Sequence, residues 1–215
     1  MEQQKEKKRI LLHSCCGPCS TAVVERLAID YNITLFYYNP NITDEKEYEL
    51  RLAEEKRFLG ELFERTGVRV ELIEGPYDPQ RWLEAVKGLE DEPEGGARCG
   101  VCFRLRLEKA AEKAAELGIE LFDSTLSVSP HKSYARLKEA GEAASRKCGV
   151  GFLAGDYKKK DGYRRSIELS REYGLYRQDW CGCGFSKAES EARRAAKAAS
   201  AGTAAAASEA GEARP

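Results

Sequence analysis

Residues 9–19 read RILLHSCCGPC, and this stretch decides the fold. Ile10, Leu11 and Leu12 form a short continuous apolar run, which suits a strand buried on both faces. Gly17-Pro18 turns the chain, and Pro18 falls where its missing N–H costs a helix least, in the first turn. A helix over 19–30 and a β-branched, aromatic strand over 33–39 (ITLFYYN) follow. Strand, helix, strand at these lengths is a parallel crossover unit.

The alternation continues outward from that unit. A helix is expected over 43–66, with Tyr48, Leu52, Leu59, Leu62 and Phe63 near one face and Gly67 as its stop. Strand 68–74, helix 78–89, a loop at 90–97 (EDEPEGGA) and helix 98–117 come next. Strand 119–126, helix 131–147, strand 150–154 and helix 162–173 complete the series, without internal repeats. This pattern predicts an α/β fold, a parallel sheet with helices on both faces. Ligands of such folds gather at the carboxyl ends of the strands, where Cys15, Cys16 and Cys19 fall. Residues 1–8 read as a flexible N-terminus and 9–186 as a single domain. The Ala-rich tail, 187–215, reads as frayed helix or disorder.

Composition narrows the class. The 35 Lys and Arg against 36 Asp and Glu leave a net charge of -1, which excludes a globally basic nucleic-acid coat but not a local basic face. No apolar run approaches the roughly 20 residues of a membrane helix. The charged first nine residues, followed by only three apolar ones, are no secretory signal, so a cytoplasmic protein without a membrane partner is expected.

The 8 cysteines are clustered. Cys15, Cys16 and Cys19 form one group, Cys99 and Cys102 a second, Cys181 and Cys183 a third, with Cys148 alone. In a reducing compartment such thiols hold metal or do redox chemistry. With His13 and His131 the only histidines, a soft-metal site must be built from thiolate. Cys16-Gly17-Pro18-Cys19 has thioredoxin-type spacing, although that fold needs antiparallel strands and leaves the other thiols unexplained. Cys99 and Cys102, at i and i+3 on a helix, face one way. Joined to the N-terminal pair they supply four ligands, enough for a cubane iron–sulfur cluster or a structural zinc. Cys181-Gly182-Cys183 suits an easily reduced disulfide, a thiol offered to a second metal, or loop thiols without a role. Cys148 reads as a small buried hydrophobe.

Charge is uneven within the neutral total. Basic residues outnumber acidic ones over 131–177, and the reverse holds over 44–94. Lys132, Lys158, Lys159, Lys160, Arg164, Arg165 and Arg177, interleaved with Tyr134, Tyr157, Tyr163 and Tyr176, suit a phosphate backbone with bases to stack. A solvated helix and loop is the plainer reading of the same residues.

Six segments then make the chain recognisable: HSCCGPC (13–19), FYYNPNI (36–42), RCGVCFRLRL (98–107), STLSVSPHKS (124–133), KKKDGYRRSIELS (158–170) and YRQDWCGCGFS (176–186). Over residues 9–185 the chain resembles the cobalamin-independent epoxyqueuosine reductases of the QueH type. The resemblance implies a nucleotide-hydrolase-like, Rossmann-like α/β fold. It also implies deoxygenation of epoxyqueuosine at the wobble position of tRNA, the last step of queuosine synthesis. By motif, Cys15, Cys16, Cys99 and Cys102 correspond to the ligands of a 4Fe–4S cluster. Cys181 and Cys183 correspond to a redox-active disulfide pair or to ligands beside a second, mononuclear iron, a role also open to Cys19. Neither cobalamin nor ATP is expected, since SCCGPC stands where related folds carry a glycine-rich ATP loop. An unidentified electron donor is implied as a partner. His13, Asp179 and Tyr176 are the candidate proton donors. An ATP-dependent tRNA thiolase and a zinc-bearing RNA-binding module are the rival classes.

Overall fold

The computed structural model describes residues 7–197. Five parallel strands form one sheet in the order β3-β2-β1-β4-β5: β1 (Lys8–Ser14), β2 (Tyr31–Tyr37), β3 (Glu71–Glu74), β4 (Leu121–Ser124) and β5 (Gly151–Phe152). Around it lie α1 (Gly17–Leu27), α2 (Glu45–Thr66), α3 (Pro79–Ala85), α4 (Ala97–Glu116), α5 (Tyr134–Cys148) and α6 (Gly162–Glu172). A last helix, α7, runs over 184–197. The sheet grows from β1 towards β2 on one side and towards β4 on the other. The carboxyl ends of β1 and β4 therefore flank the point where strand order reverses, the favoured place for a ligand crevice.

The period of two along β1 builds both cores. Ile10 and Leu12 face a layer with Val23, Val24, Phe58, Leu62 and Leu169, contributed by α1, α2 and α6. Leu11 faces the other side, with Phe103, Leu107, Ala110, Phe122 and Leu137 from α4, β4 and α5. Asp44 caps α2 by accepting from the N–H groups of Lys46 and Glu47, and Gly67, at φ 73°, ends it.

The sheet is smaller than the sequence suggests. β3 and β5 keep only 71–74 and 151–152, because both are edge strands paired on one side. α1 starts at Gly17 rather than 19, since Pro18 occupies its first turn. Two boundaries also move. Lys8 already pairs with Tyr31, so the ordered sheet begins inside the stretch read as flexible. Helix α7 crosses residue 187 and is tied to the body, Glu189 accepting from the N–H of Glu94 and from Arg98. The rest of the Ala-rich tail, 198–215, and residues 1–6 lie outside the described residues.

Gly141 on α5 lies against the ring of Phe152, where an added Cβ would overlap ring atoms. Alanine favours a helix over glycine by about 1 kcal/mol, whereas overpacking costs about 1–3 kcal/mol. Gly141→Ala is expected to lower stability in urea denaturation. A more stable variant would mean the ring moves aside freely.

Candidate active site

The carboxyl end of β1 turns straight into α1, and three thiols sit on that turn. Cys16 is the N-cap residue of α1, and the N–H groups of Cys19 and Ser20 return to its carbonyl at 3.1 and 3.2 Å. The sulfurs of Cys15, Cys16 and Cys19 consequently lie within 4.8 Å of one another, with Cys15 and Cys16 3.8 Å apart. Thiolates around one tetrahedral ion, at metal–sulfur bonds of about 2.3 Å, stand roughly 3.8 Å apart, so the donor set fits a thiophilic metal. Cys15 accepts from the other two thiols, which pushes its pKa down; Cys16 is pushed up to about 12 and Cys19 also rises.

Buried side chains hold this turn from below. Asn39 donates to the Ser14 carbonyl at 3.0 Å. Glu55 accepts the Ser14 and Ser20 hydroxyls at 2.5 and 3.1 Å. Arg106, on α4, donates to the Asn39 side-chain oxygen at 2.5 Å and lies 3.9 Å from the Cys102 sulfur. His13 is fully buried. Its Nε2 lies 3.0 Å from the Tyr38 carbonyl and 3.3 Å from the Arg106 Nε–H directed at it, and its Nδ1 pairs with the Ser124 hydroxyl at 2.8 Å. Burial, helped by the Arg106 charge, drops its pKa to about 3. Both ring nitrogens are engaged inside the protein, and His13 does not line the cleft onto which the three thiols open.

A second thiol group faces the first. Cys102, Cys181 and Cys183 share a small apolar cluster with Trp82 and Val86, while Cys99 packs against the larger core cluster to which Cys15 and Cys16 belong. Gly95 N–H donates to the Cys99 sulfur at 3.2 Å. Cys181 and Cys183 are free thiols 3.5 Å apart; their hydrogen bond pushes Cys181 down and Cys183 up. No disulfide joins any pair among the described residues, so a disulfide is not supported here. Cys148, partly buried at the end of α5, packs against the core and is somewhat less buried than expected.

The loop bearing Cys181 is clamped by an arginine that the sequence did not single out. Arg51, 1% exposed, donates to the carbonyls of Cys181 and Trp180 at 3.2 and 3.3 Å and pairs with Glu47 at 2.7 Å. Asn41 also donates to the Cys181 carbonyl, and Thr43 N–H to that of Gly182. Gly182 has φ 113°, and a Cβ there would meet Ile42 and Arg51 at 2.6 and 3.3 Å. This loop is thus docked, not loose.

Between the two thiol groups opens a cleft of about 420 Å³. Cys15, Cys16, Cys19 and Cys181 line it; Cys99, Cys102 and Cys183 do not. Of the basic residues singled out from the sequence, Lys132 and Arg177 line it, whereas Lys158, Lys159, Lys160, Arg164 and Arg165 do not; Arg51, Arg106 and Arg193 line it as well. Burial works against the Lys132 ammonium, but the thiolates of Cys15, Cys19 and Cys181 outweigh it and raise its pKa. Lys158 donates to the Lys132 carbonyl, Lys159 pairs with Asp156, Arg164 with Asp161, and Arg165 with Glu25. Asp179 pairs with Arg194 at 2.9 Å rather than with Arg177, which instead donates to Ser166 and Ser170. Tyr176 is exposed and donates to Glu47.

Residues 10–189 match the family model described as epoxyqueuosine reductase QueH. The chain belongs to the QueH family. A Streptococcus pyogenes serotype M1 protein named epoxyqueuosine reductase QueH is 42% identical over 185 residues, 86% of this chain and 72% of that protein. One from Staphylococcus epidermidis is 40% identical over 86% of this chain and 79% of its own length. A Thermotoga maritima relative of the same name is 32% identical, with 86% and 94% covered. Among solved structures, a predicted subunit of a tRNA methyltransferase from Methanocaldococcus jannaschii is similar at a TM-score of 0.45 and 14% identity, over 77% of this chain and 75% of that one. The QueH match spans all three thiol groups, and it also spans Arg51, Glu55 and Arg106. Arg106 had a signal in the sequence, one helical turn after Cys102; Arg51 and Glu55 stood in a charged helix without one.

Burial pushes the Glu55 carboxyl up to about 7, against the pull of its two serine partners. Its contribution to stability is full below the ordinary value of 4.5 and is lost as pH rises through about 7. Glu55→Gln removes that titration. The parent is expected to lose stability relative to the variant between about pH 5 and 8 in urea denaturation. A difference constant with pH would mean the acid ionises normally.

Proposed function

We propose that this QueH-family chain reduces epoxyqueuosine at the wobble position of tRNA in the cleft between its thiol groups, as an iron–sulfur oxidoreductase. The observation that carries the reading is the opening of Cys15, Cys16, Cys19 and Cys181 onto one cleft at the β1/β4 switch point, with the Lys132 ammonium among them. Its relatives are named for this reaction, and the donor chemistry agrees with it. Cys15, Cys16, Cys99 and Cys102 would hold a 4Fe–4S cluster, and Cys181 and Cys183 would act as a redox-active pair or, with Cys19, hold a mononuclear iron. A cluster bound there supplies electrons one at a time.

The reaction breaks both C–O bonds of the epoxide and forms a C=C bond. It consumes two electrons from an external donor and two protons, and the oxygen leaves as water. Lys132 holds a proton inside the cleft, where its charge favours oxygen taking on negative character. Arg106 holds Asn39 and Cys102 in place, and Arg51 fixes the Cys181 loop. The half-buried walls limit access of bulk water. No helix among the described residues is long and apolar enough to cross a membrane; the site faces solvent, as a macromolecular substrate requires.

Anaerobically purified protein is expected to absorb in the visible range and to contain iron. Cys99→Ala and Cys102→Ala are each expected to lose cluster iron and tRNA deoxygenation together. Full iron content in either variant removes that residue from the ligand set, and a colourless zinc protein overturns the redox reading.

Lys158, Lys159 and Lys160 lie on the loop that joins β5 to α6, adjoining the cleft through the Lys158 bond to the Lys132 carbonyl. Their replacement by alanine is expected to weaken tRNA binding and to reduce the slope of log affinity against log salt by about 1–2, since each phosphate contact contributes roughly 0.7–0.9. Visible absorbance should not change. Equal slopes for parent and variant would make the run a solvated loop.

A further inference from the structure

One wall of the cleft is the segment Arg177-Gln178-Asp179-Trp180, which leads into Cys181. Three of its four side chains are already engaged. Arg177 donates to Ser170 and the Ser166 carbonyl, Asp179 pairs with Arg194, and the Trp180 ring lies 5.1 Å from the Arg51 guanidinium and 5.4 Å from the Lys187 ammonium. Gln178 differs. Its amide oxygen is buried and has no hydrogen-bond partner among the described residues.

Buried polar atoms without partners are costly and are retained where something else supplies the partner. The other orphaned side-chain atoms belong to Asn41, Glu55, Trp82, Arg98 and Asp156, none of which lines the cleft. Among the described residues, Gln178 is therefore the one cleft-lining side chain with an orphaned buried polar atom. A packing role does not account for it, since an apolar side chain of the same length would fill the space without the penalty.

We propose that Gln178 is a specificity residue whose amide hydrogen-bonds the modified nucleotide itself, separately from the basic residues that hold the tRNA backbone. The proposal rests on the cleft being the epoxyqueuosine site. A primary amide carries an acceptor and a donor side by side, the complement of an edge that offers both. The hydroxyls of the substrate's cyclopentane ring offer such an edge, one that unmodified guanosine lacks, whereas the N1–H/O6 edge of the base is common to both. A neutral amide suits those hydroxyls, because they carry no charge, and it recognises by geometry and not by field strength. The phosphate oxygens of the tRNA backbone only accept, so they cannot partner an amide oxygen.

Gln178→Met keeps the length and removes both polar atoms. Binding of parent and variant is measured, anaerobically and at fixed salt, to two tRNAs identical except for epoxyqueuosine or unmodified guanosine at the wobble position, a third carrying 7-aminomethyl-7-deazaguanine there. The parent is expected to prefer the epoxyqueuosine tRNA. In Gln178→Met that preference should fall about tenfold, the size of one lost hydrogen bond to a buried group. Affinity for the unmodified tRNA should stay within about twofold, iron content should not change, and the unfolding midpoint should not drop. A loss confined to epoxyqueuosine places the contact on the cyclopentane ring; an equal loss on the aminomethyl-deazaguanine tRNA, which lacks that ring, overturns the assignment. Retained preference overturns the proposal, and so does an equal loss on all three tRNAs. Should Gln178→Met not fold, Gln178→Ala is read in the same way. A parent that neither prefers nor reduces epoxyqueuosine tRNA is a different failure, that of the functional reading.

Discussion

The carbonyl and hydroxyl of Ser14 are gripped by two buried side chains, Asn39 from the end of β2 and Glu55 from the middle of α2. Much of the site depends on that grip. Strand β1 ends in the centre of the sheet, where its last polar groups cannot reach water, and each must find a partner inside the protein. Asn39 and Glu55 supply those partners and hold the backbone in the sharp turn that places Cys15, Cys16 and Cys19 on one side. Gly17 lets α2 approach closely: a Cβ there would stand 3.2 Å from the Glu54 carbonyl. The thiol site and the packing of α1 on α2 are thus one constraint.

Charge is distributed through the same region with unusual depth. Arg51, Arg98 and Arg106 are each at most 2% exposed, and each spends its guanidinium on groups that would otherwise be orphaned. Arg51 takes carbonyls of the Cys181 loop, Arg98 takes those of Leu89 and Glu90, and Arg106 takes the Asn39 oxygen. A planar, always-charged fork suits this work better than lysine does. It also leaves positive charge around sulfurs that must ionise to bind metal. Among the described residues Lys132 is the lysine that lines the cleft, where a point charge on a flexible stem can meet a substrate.

The Cys181 loop illustrates how a segment with little core of its own becomes rigid. Arg51, Asn41 and Thr43 bond its backbone, Ser186 takes the Cys181 N–H, and Cys183 is buried against Trp82 and Cys102. Gly182, at φ 113°, serves close approach instead of flexibility. The rigid loop keeps two thiols beside the cleft at a stable distance from the β1 turn.

By itself the sequence determined the layered α/β architecture, because an apolar run ending in a glycine–proline turn, followed by repeated helix and strand periods, admits few other folds. It marked the thiols as candidate metal or redox groups too, since cysteines declare themselves by residue type and spacing. Tertiary structure alone decided which basic residues face the cleft, that His13 is buried among hydrogen-bond partners, that Glu55 and Arg51 hold the backbone around the thiols, and that Gln178 lines the cleft. Those facts rest on burial and on partners distant in the chain: Glu55 meets Ser14 across 41 positions and Arg51 meets Cys181 across 130. A charged residue on an amphipathic helix looks solvated in one dimension. Only packing reveals that it has been carried out of water and obliged to find a partner.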